Sequence, residues 1–313
     1  MFKRTNNFIL EYLLRLIFYL FIYILVFISI RFFTLLEEKV LCVFHLCKGP
    51  IYVGYGGILQ PFSYALGLLR RFIVYSKPKF IKLFLYTPYL RLIIRILLWS
   101  CAPLPNLNNL TSKRGFFFFI IVGLSIFPIL ILGWGSNNKY RHIGAIRSVA
   151  QIISYELRFR FFFLTLFFII SRARFKSFYS GIGLLGRLIF GPVIVLVFIL
   201  FLAERNRRPF DFSESPSELV RGFITEYSGP GFVVLFIREY LSIIFIGLIF
   251  VVIFFNFSLL IFGTLISVVC FFYIWLRGTM IRFRYDIIID LRWKYFLPKV
   301  VCLYAYVVGW CCI

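Results

Sequence analysis

Four of the chain's twelve carboxylates, Glu204, Asp211, Glu214 and Glu218, stand in the stretch AERNRRPFDFSESPSEL, residues 203–219. Carboxylates at that density can bind and hand on protons. Glu204 closes a long apolar run, where loss of hydration favours the neutral acid that a proton carrier starts from. Glu218 also fits a local structural role. It stands three residues after Ser215, with Pro216 between them, which is a capping box with proline at the first helical position. A short helix is therefore expected from near Pro216 toward Glu226. Asp211 and Glu214 precede that start, and capping does not explain them.

Two further acids sit inside apolar runs: Glu156, at the end of RSVAQIISYE, and Glu239, in VVLFIREY. An ionisable group at membrane depth is costly and points to function unless an ion pair accounts for it. Arg160, four residues after Glu156, is placed for such a pair on a helix. Arg238 adjoins Glu239, but neighbours in sequence do not face each other on a helix. Basic and aromatic residues interleave with acids in EEKVLCVFHLCKGP, GSNNKYRHIGAIR and RFRYDIIIDLRWK. Such a set suits a cavity for a polar head on a long apolar tail, and equally a docking face for a soluble partner. The sequence has no phosphate loop, no nucleophile with its base and no dinucleotide fingerprint. Its seven cysteines include no CxxC, and its two histidines, His45 and His142, lie far apart. Metal and iron–sulfur spacings are therefore absent. What remains is proton and quinone chemistry, or electron transfer supplied by a partner.

These groups must be carried by membrane spans. Of the 313 residues 62% are hydrophobic, with a mean hydropathy of +0.94, where soluble domains are about half apolar. Apolar runs of about 20 residues, enough to cross a bilayer core, recur along the chain. They predict about eight spans, near 16–36, 81–101, 115–134, 148–170, 182–203, 230–255, 257–276 and 293–312. The fold class is an all-α polytopic membrane protein, with residues 1–313 as a single integral membrane domain. GGILQPFSYALGLLRRFIVY, in the first long loop, reads as an amphipathic surface helix. Eight spans put both termini on one side. The loops after the odd spans then share the other, and they carry most of the loop lysines and arginines, which assigns them to the inner side, cytoplasm or matrix. The net charge of +23 fits topology and contact with anionic lipids such as cardiolipin. Its scatter among the spans argues against nucleic acid as a partner.

Several of these stretches, taken together, resemble subunit 1 of NADH:ubiquinone oxidoreductase, the respiratory complex I family. They are GWGSNNKYRHIGAIRSVAQIISYE (133–156), LAERNRRPFDFSESPSELVRGFITEY (202–227) and LRGTMIRFRYDIIIDLRWKYFLP (276–298), with KGP and LQP in the first loop. The resemblance is collinear over roughly residues 36 to 298. It implies a membrane subunit whose inner loops shape a quinone tunnel, and whose acids lead from that tunnel toward proton-pumping subunits. Carried over by position, the proton path comprises Glu37, Glu156, Glu204, Asp211, Glu214, Glu218, Glu226 and Glu239. The quinone tunnel takes Lys39, Lys48, Arg147, Asn206, Arg207, Phe210, Arg282, Arg284 and Asp286. Ubiquinone is the implied substrate. The chain is expected to bind no cofactor of its own: FMN, iron–sulfur clusters and NADH belong to partner subunits.

Departures from the family pattern are local. Glu38 and Cys47 stand where arginines are usual, Pro216 replaces an acid, and Ile281 replaces a proline. Arg158 and Arg160 stand where the family is apolar. Arg91 and Arg95 lie inside the second span, facing either added partners or lipid phosphates. Two other classes fit less well. One is a membrane anchor of a related hydrogenase-type complex. The other is an independent ion transporter, which would usually show internal repeats; none is evident. An AT-biased composition and the lack of a targeting segment favour an organelle-encoded chain of the mitochondrial inner membrane, with a bacterial plasma membrane as the alternative.

Overall fold

The computed structural model describes residues 2–71, 80–102, 114–136, 138–170, 191–204, 209–210, 227, 229–255, 259–281 and 283–312. Asp211, Glu214, Glu218, Glu226, Asn206, Arg207 and Arg282 lie outside the described residues, as does the helix expected from Pro216. The chain divides into two compact units, Met1–Leu68 and Leu69–Ile313. No strand occurs among the described residues.

The first unit is built on α1, Phe2–Phe44. Ile17–Phe44 is long and apolar enough to cross a membrane. Ile17, Phe18, Leu20, Phe21, Ile24 and Leu25 are exposed along it, as expected of a helix whose outer surface meets lipid. The chain then reverses through a turn that depends on Gly57. This residue has φ 79°, and a Cβ on it would fall 2.2 Å from the Pro50 carbonyl oxygen, so only glycine fits. The expected surface helix follows as α2, Gln60–Leu69. It packs Phe62 edge-on to Phe32 at 6.2 Å and leaves Tyr64, Leu66 and Leu69 exposed.

The second unit is a helical bundle: α3 (Ile81–Ser100), α4 (Arg114–Leu124), α5 (Phe127–Gly135), α6 (Lys139–Ile170), α7 (Gly191–Glu204), α8 (Pro230–Phe254), α9 (Leu259–Thr279), α10 (Tyr285–Asp290) and α11 (Leu297–Cys312). A π-helical turn, Leu291–Phe296, joins α10 to α11. Four helices or helix pairs of this unit have the length and apolarity of spans: Lys82–Ser100, Gly115–Gly135, Pro230–Phe254 and Ile261–Thr279. The third expected span is thus broken into α4 and α5, with Pro128 starting the second piece. α6 covers the fourth expected span and extends it by a turn or more at its charged N-terminal end.

Phenylalanines of α6 hold the centre. Phe159, Phe162 and Phe163 are buried. Phe159 contacts Phe118 of α4 at 5.7 Å and Phe201 of α7 at 5.5 Å between ring centroids. Where α5 turns into α6, glycine sets the distance: a Cβ on Gly133 would lie 2.4 Å from the Ala145 Cβ. Close backbone approach of this kind is how helices associate where lipid supplies no hydrophobic drive.

Contacts fix helix directions. Thr87 meets Tyr227 just before α8, and Trp99 donates to the Leu241 carbonyl at 3.2 Å, so α3 and α8 run the same way. Ser154 meets Arg292, and Phe161 and Phe168 meet Tyr304, so α6 and α11 are also parallel. α6 runs opposite to α4 and α7, since Phe119 pairs with Phe163 and Phe167 while Gly123 lies at Glu156 and Arg160, and Phe201 pairs with Phe159 while Glu204 lies within reach of Glu156.

Candidate functional site

The middle of α6 presents Gln151, Ser154, Tyr155, Glu156, Arg158 and Arg160 over fewer than three turns. All but the half-exposed Arg160 are buried. Glu156 and Arg160 form the ion pair that their spacing predicts. The pair lies against α4 at Gly123, where a Cβ would come within 3.0 Å of the Arg160 guanidinium and 3.1 Å of the Glu156 carboxylate. Glycine leaves room for both ends. Glu204, buried at the end of α7, lies within electrostatic reach of Glu156. The paired Glu156 carboxylate thus has a second buried carboxylate within reach, where interactions are stronger than at a surface.

On the adjoining face, Tyr155 is the hub. The guanidiniums of Arg292 and Arg158 lie 4.3 Å and 4.7 Å from its ring centroid. Arg158 is 1% exposed, and its nitrogens meet no hydrogen-bond acceptor among the described residues. The aromatic face is what receives this cation. Arg292, carried in by the π-helical turn, donates to Ser154 Oγ at 3.0 Å. Phe210 packs edge-on to Tyr155 at 6.2 Å, and its carbonyl accepts from Gln151 Nε2 at 2.8 Å. Phe283 joins through its ring, 5.8 Å from that of Phe210, and through a bond from its N–H to the Pro209 carbonyl. The cluster therefore gathers α6, the start of the acid-rich stretch, and the segment just before α10.

Of the expected site residues in this unit, Glu156, Glu204 and Phe210 come together here. Glu239 is half-buried on α8, in the same interval of the α3–α8 contact as Arg91 and Arg95. Those two arginines are 3% and 5% exposed, so they turn into the bundle rather than toward lipid. Arg147 is half-buried near the start of α6. Arg284 and Asp286 pair with each other at 3.2 Å, both well exposed. In the first unit Glu37 is buried and Lys48 exposed, while Lys39 donates to the Gly56 carbonyl at 2.7 Å. Lys39 thus ties down the turn after α1. Of the departures, Cys47 and Ile281 are exposed and Glu38 is half-buried.

Sequence reading missed Gln151, Ser154, Tyr155 and Arg292 as a set. Tyr155 was detectable as the neighbour of an intramembrane acid. Arg292 read only as one more charge in a basic loop, because nothing local shows that a helix will bury it.

Fold and cluster together define a polytopic, all-helical membrane protein that holds charge at depth, at the start of an acid-rich stretch of sequence. The family described as NADH dehydrogenase matches residues 16–308. The NADH-ubiquinone oxidoreductase chain 1 of Aedes aegypti is 40% identical over 295 residues, 92% of this chain and 93% of its own. That of Locusta migratoria is 40% identical over 286 residues, 90% of each chain, and that of Branchiostoma lanceolatum 36% over 276 residues, 87% and 88%. The chain belongs to this family, the chain 1 membrane subunits of NADH-ubiquinone oxidoreductase.

Proposed function

We propose that this chain helps form the quinone-binding tunnel of a proton-pumping NADH:ubiquinone oxidoreductase, and links that tunnel through buried acids to the proton-translocating arm. The observation that carries the reading is the approach of Glu204 to Glu156 beside the Tyr155–Phe210 cluster. Glu204 is where the acid-rich stretch leaves its helix, and Glu156 is the acid in the helix packed against it. The two make a step from loop to bundle interior. Asp211, Glu214, Glu218 and Glu226 extend the path on the loop side, and Glu239 and Glu37 provide further stations. Lys39, Lys48, Arg147, Asn206, Arg207, Arg282, Arg284 and Asp286 complete the polar wall for a quinone head. Residues 1–313 work as one integral membrane domain in the mitochondrial inner membrane. It sits among other complex I subunits, with FMN, iron–sulfur clusters and NADH held by those partners and cardiolipin-type lipids around its basic surface. That its relatives are named for ubiquinone reduction favours this reading over a hydrogenase-type anchor.

Glu204→Gln tests the reading. Glutamine keeps size and hydrogen-bonding capacity but cannot titrate. Quinone reduction and proton pumping should fall together by about tenfold, the effect of about 1.4 kcal/mol on a barrier. NADH oxidation by an artificial acceptor at the flavin should stay normal. Full coupled activity in a normally assembled variant would remove Glu204 from the path.

A further inference from the structure

Proline at position 88 opens a slot in α3. In an α-helix the N–H of residue i bonds to the carbonyl of residue i−4. Proline has no N–H, so Pro88 releases the carbonyl of Phe84. Inside a membrane bundle such a group must be served by protein. Two hydroxyls serve it. Thr87 Oγ1 donates from 3.0 Å within the helix. The Tyr227 hydroxyl donates from 2.8 Å, across 143 residues of sequence. The two hydroxyl oxygens are themselves 2.9 Å apart.

The rings reinforce this bond. Tyr227 stacks on Phe84 with centroids 4.3 Å apart and planes 3° from parallel. The Arg141 guanidinium, fully buried, lies 4.9 Å from the Phe84 centroid and 5.5 Å from that of Tyr227. Leu132 and Leu235 close the cluster, with Phe232 against it. Four helices, α3, α5, α6 and α8, thus converge on one tyrosine. This exceeds what is needed to fill space: a phenylalanine would pack as well but would leave the released carbonyl to Thr87 alone.

Tyr227 directly follows Glu226, the last acid of the stretch that begins at Glu204. We propose that Tyr227 is a positioning residue for the acid that precedes it in sequence: anchored in the slot that Pro88 opens, it serves Glu226 in proton transfer. The role rests on the reading of Glu226 as part of the proton path; the docking itself does not.

The test uses the assembled complex, with its amount checked by native electrophoresis. Tyr227→Phe should lower coupled quinone reduction about 2- to 10-fold, the span expected for one buried neutral hydrogen bond. It should also shift the pH profile of that reaction, while flavin-site NADH oxidation is unchanged. Pro88→Ala supplies an N–H that takes the Phe84 carbonyl and displaces the tyrosine, so it should reproduce the effect. The double variant should then be no worse than the poorer single one. If Pro88→Ala does not assemble, Thr87→Val replaces it with the opposite expectation: together with Tyr227→Phe it strips both hydroxyls from the Phe84 carbonyl, so that double variant should fall below both singles. Tyr227→Phe should add nothing to Glu226→Gln. Multiplying effects of Pro88→Ala and Tyr227→Phe, or an unchanged pH profile in Tyr227→Phe, would overturn the proposal and leave a core tyrosine. Full activity of Glu226→Gln would instead sink the proton-path reading of that acid, and the positioning role with it, whatever the outcome of the cycle.

Discussion

Arg160 and Arg158 lie two residues apart on α6 and act on different partners. Arg160 pairs with Glu156, whereas Arg158 is buried against the Tyr155 ring. A guanidinium in contact with a carboxylate competes with the proton for it. Replacing Arg160 by leucine should therefore shift the pH profile of coupled quinone reduction, because that competition is lost. Arg158→Leu should leave that profile nearer to wild type; indistinguishable profiles would show that the pair has no hold on the reaction. The Glu156–Arg160 contact was legible from spacing alone. The choice of Tyr155 by Arg158 was not: residues three apart can meet on a helix, but the sequence does not say which of several neighbours a buried arginine will face. Arg292 reaches the same ring from a different helix, a contact that only the packing of α6 against α11 creates.

Among the helices, the alternating directions implied by a serpentine of spans are the ones observed: α3 parallel to α8, α6 parallel to α11, and α6 opposed to α4 and α7. Apolar length sets existence and order, so these features could be read directly. Breaks could not. The third span reads as one apolar run, but its chain turns at Ser125 and Ile126, with bonds back to Val122 and Gly123. Gly133 was likewise one glycine among 21. Its importance follows from the 2.4 Å that a Cβ would leave to Ala145. Gly133→Ala should force α5 and α6 apart and destabilise the subunit by about 1–3 kcal/mol, the usual range for overpacking. Less assembled complex should be recovered. Ala145→Gly in the same chain should restore the yield, because it removes the atom that the new methyl strikes. A yield equally low in the double variant would mean that the contact does not limit assembly.

Across the whole molecule, charge assigns a side to each loop. The inner assignment of residues 204–228 comes from the lysine and arginine excess of the loops after odd spans. In sealed inner-membrane vesicles of known orientation, single-cysteine labelling in 204–228 should occur only from the matrix face. Labelling from the opposite face would reverse the topology and place the acids on the wrong side of the membrane. Fold class and span order follow from coarse properties, which is why composition and run length disclose them. The acid-rich stretch carries its meaning in residue identity, and family resemblance discloses more of it than periodicity does.

The π-helical turn at Leu291–Phe296 has a consequence for inheritance. Its hydrogen bonds reach one residue farther than those of the α-helices on either side. A gene that lost a single codon here would close the wide turn to an ordinary α-helical one, and α11 would keep its facing relative to α10. The same loss within α11 would turn every later residue by about 100°, the angle between successive α-helical residues. In this stretch a change of length is absorbed, whereas in the flanking helices it is transmitted as rotation.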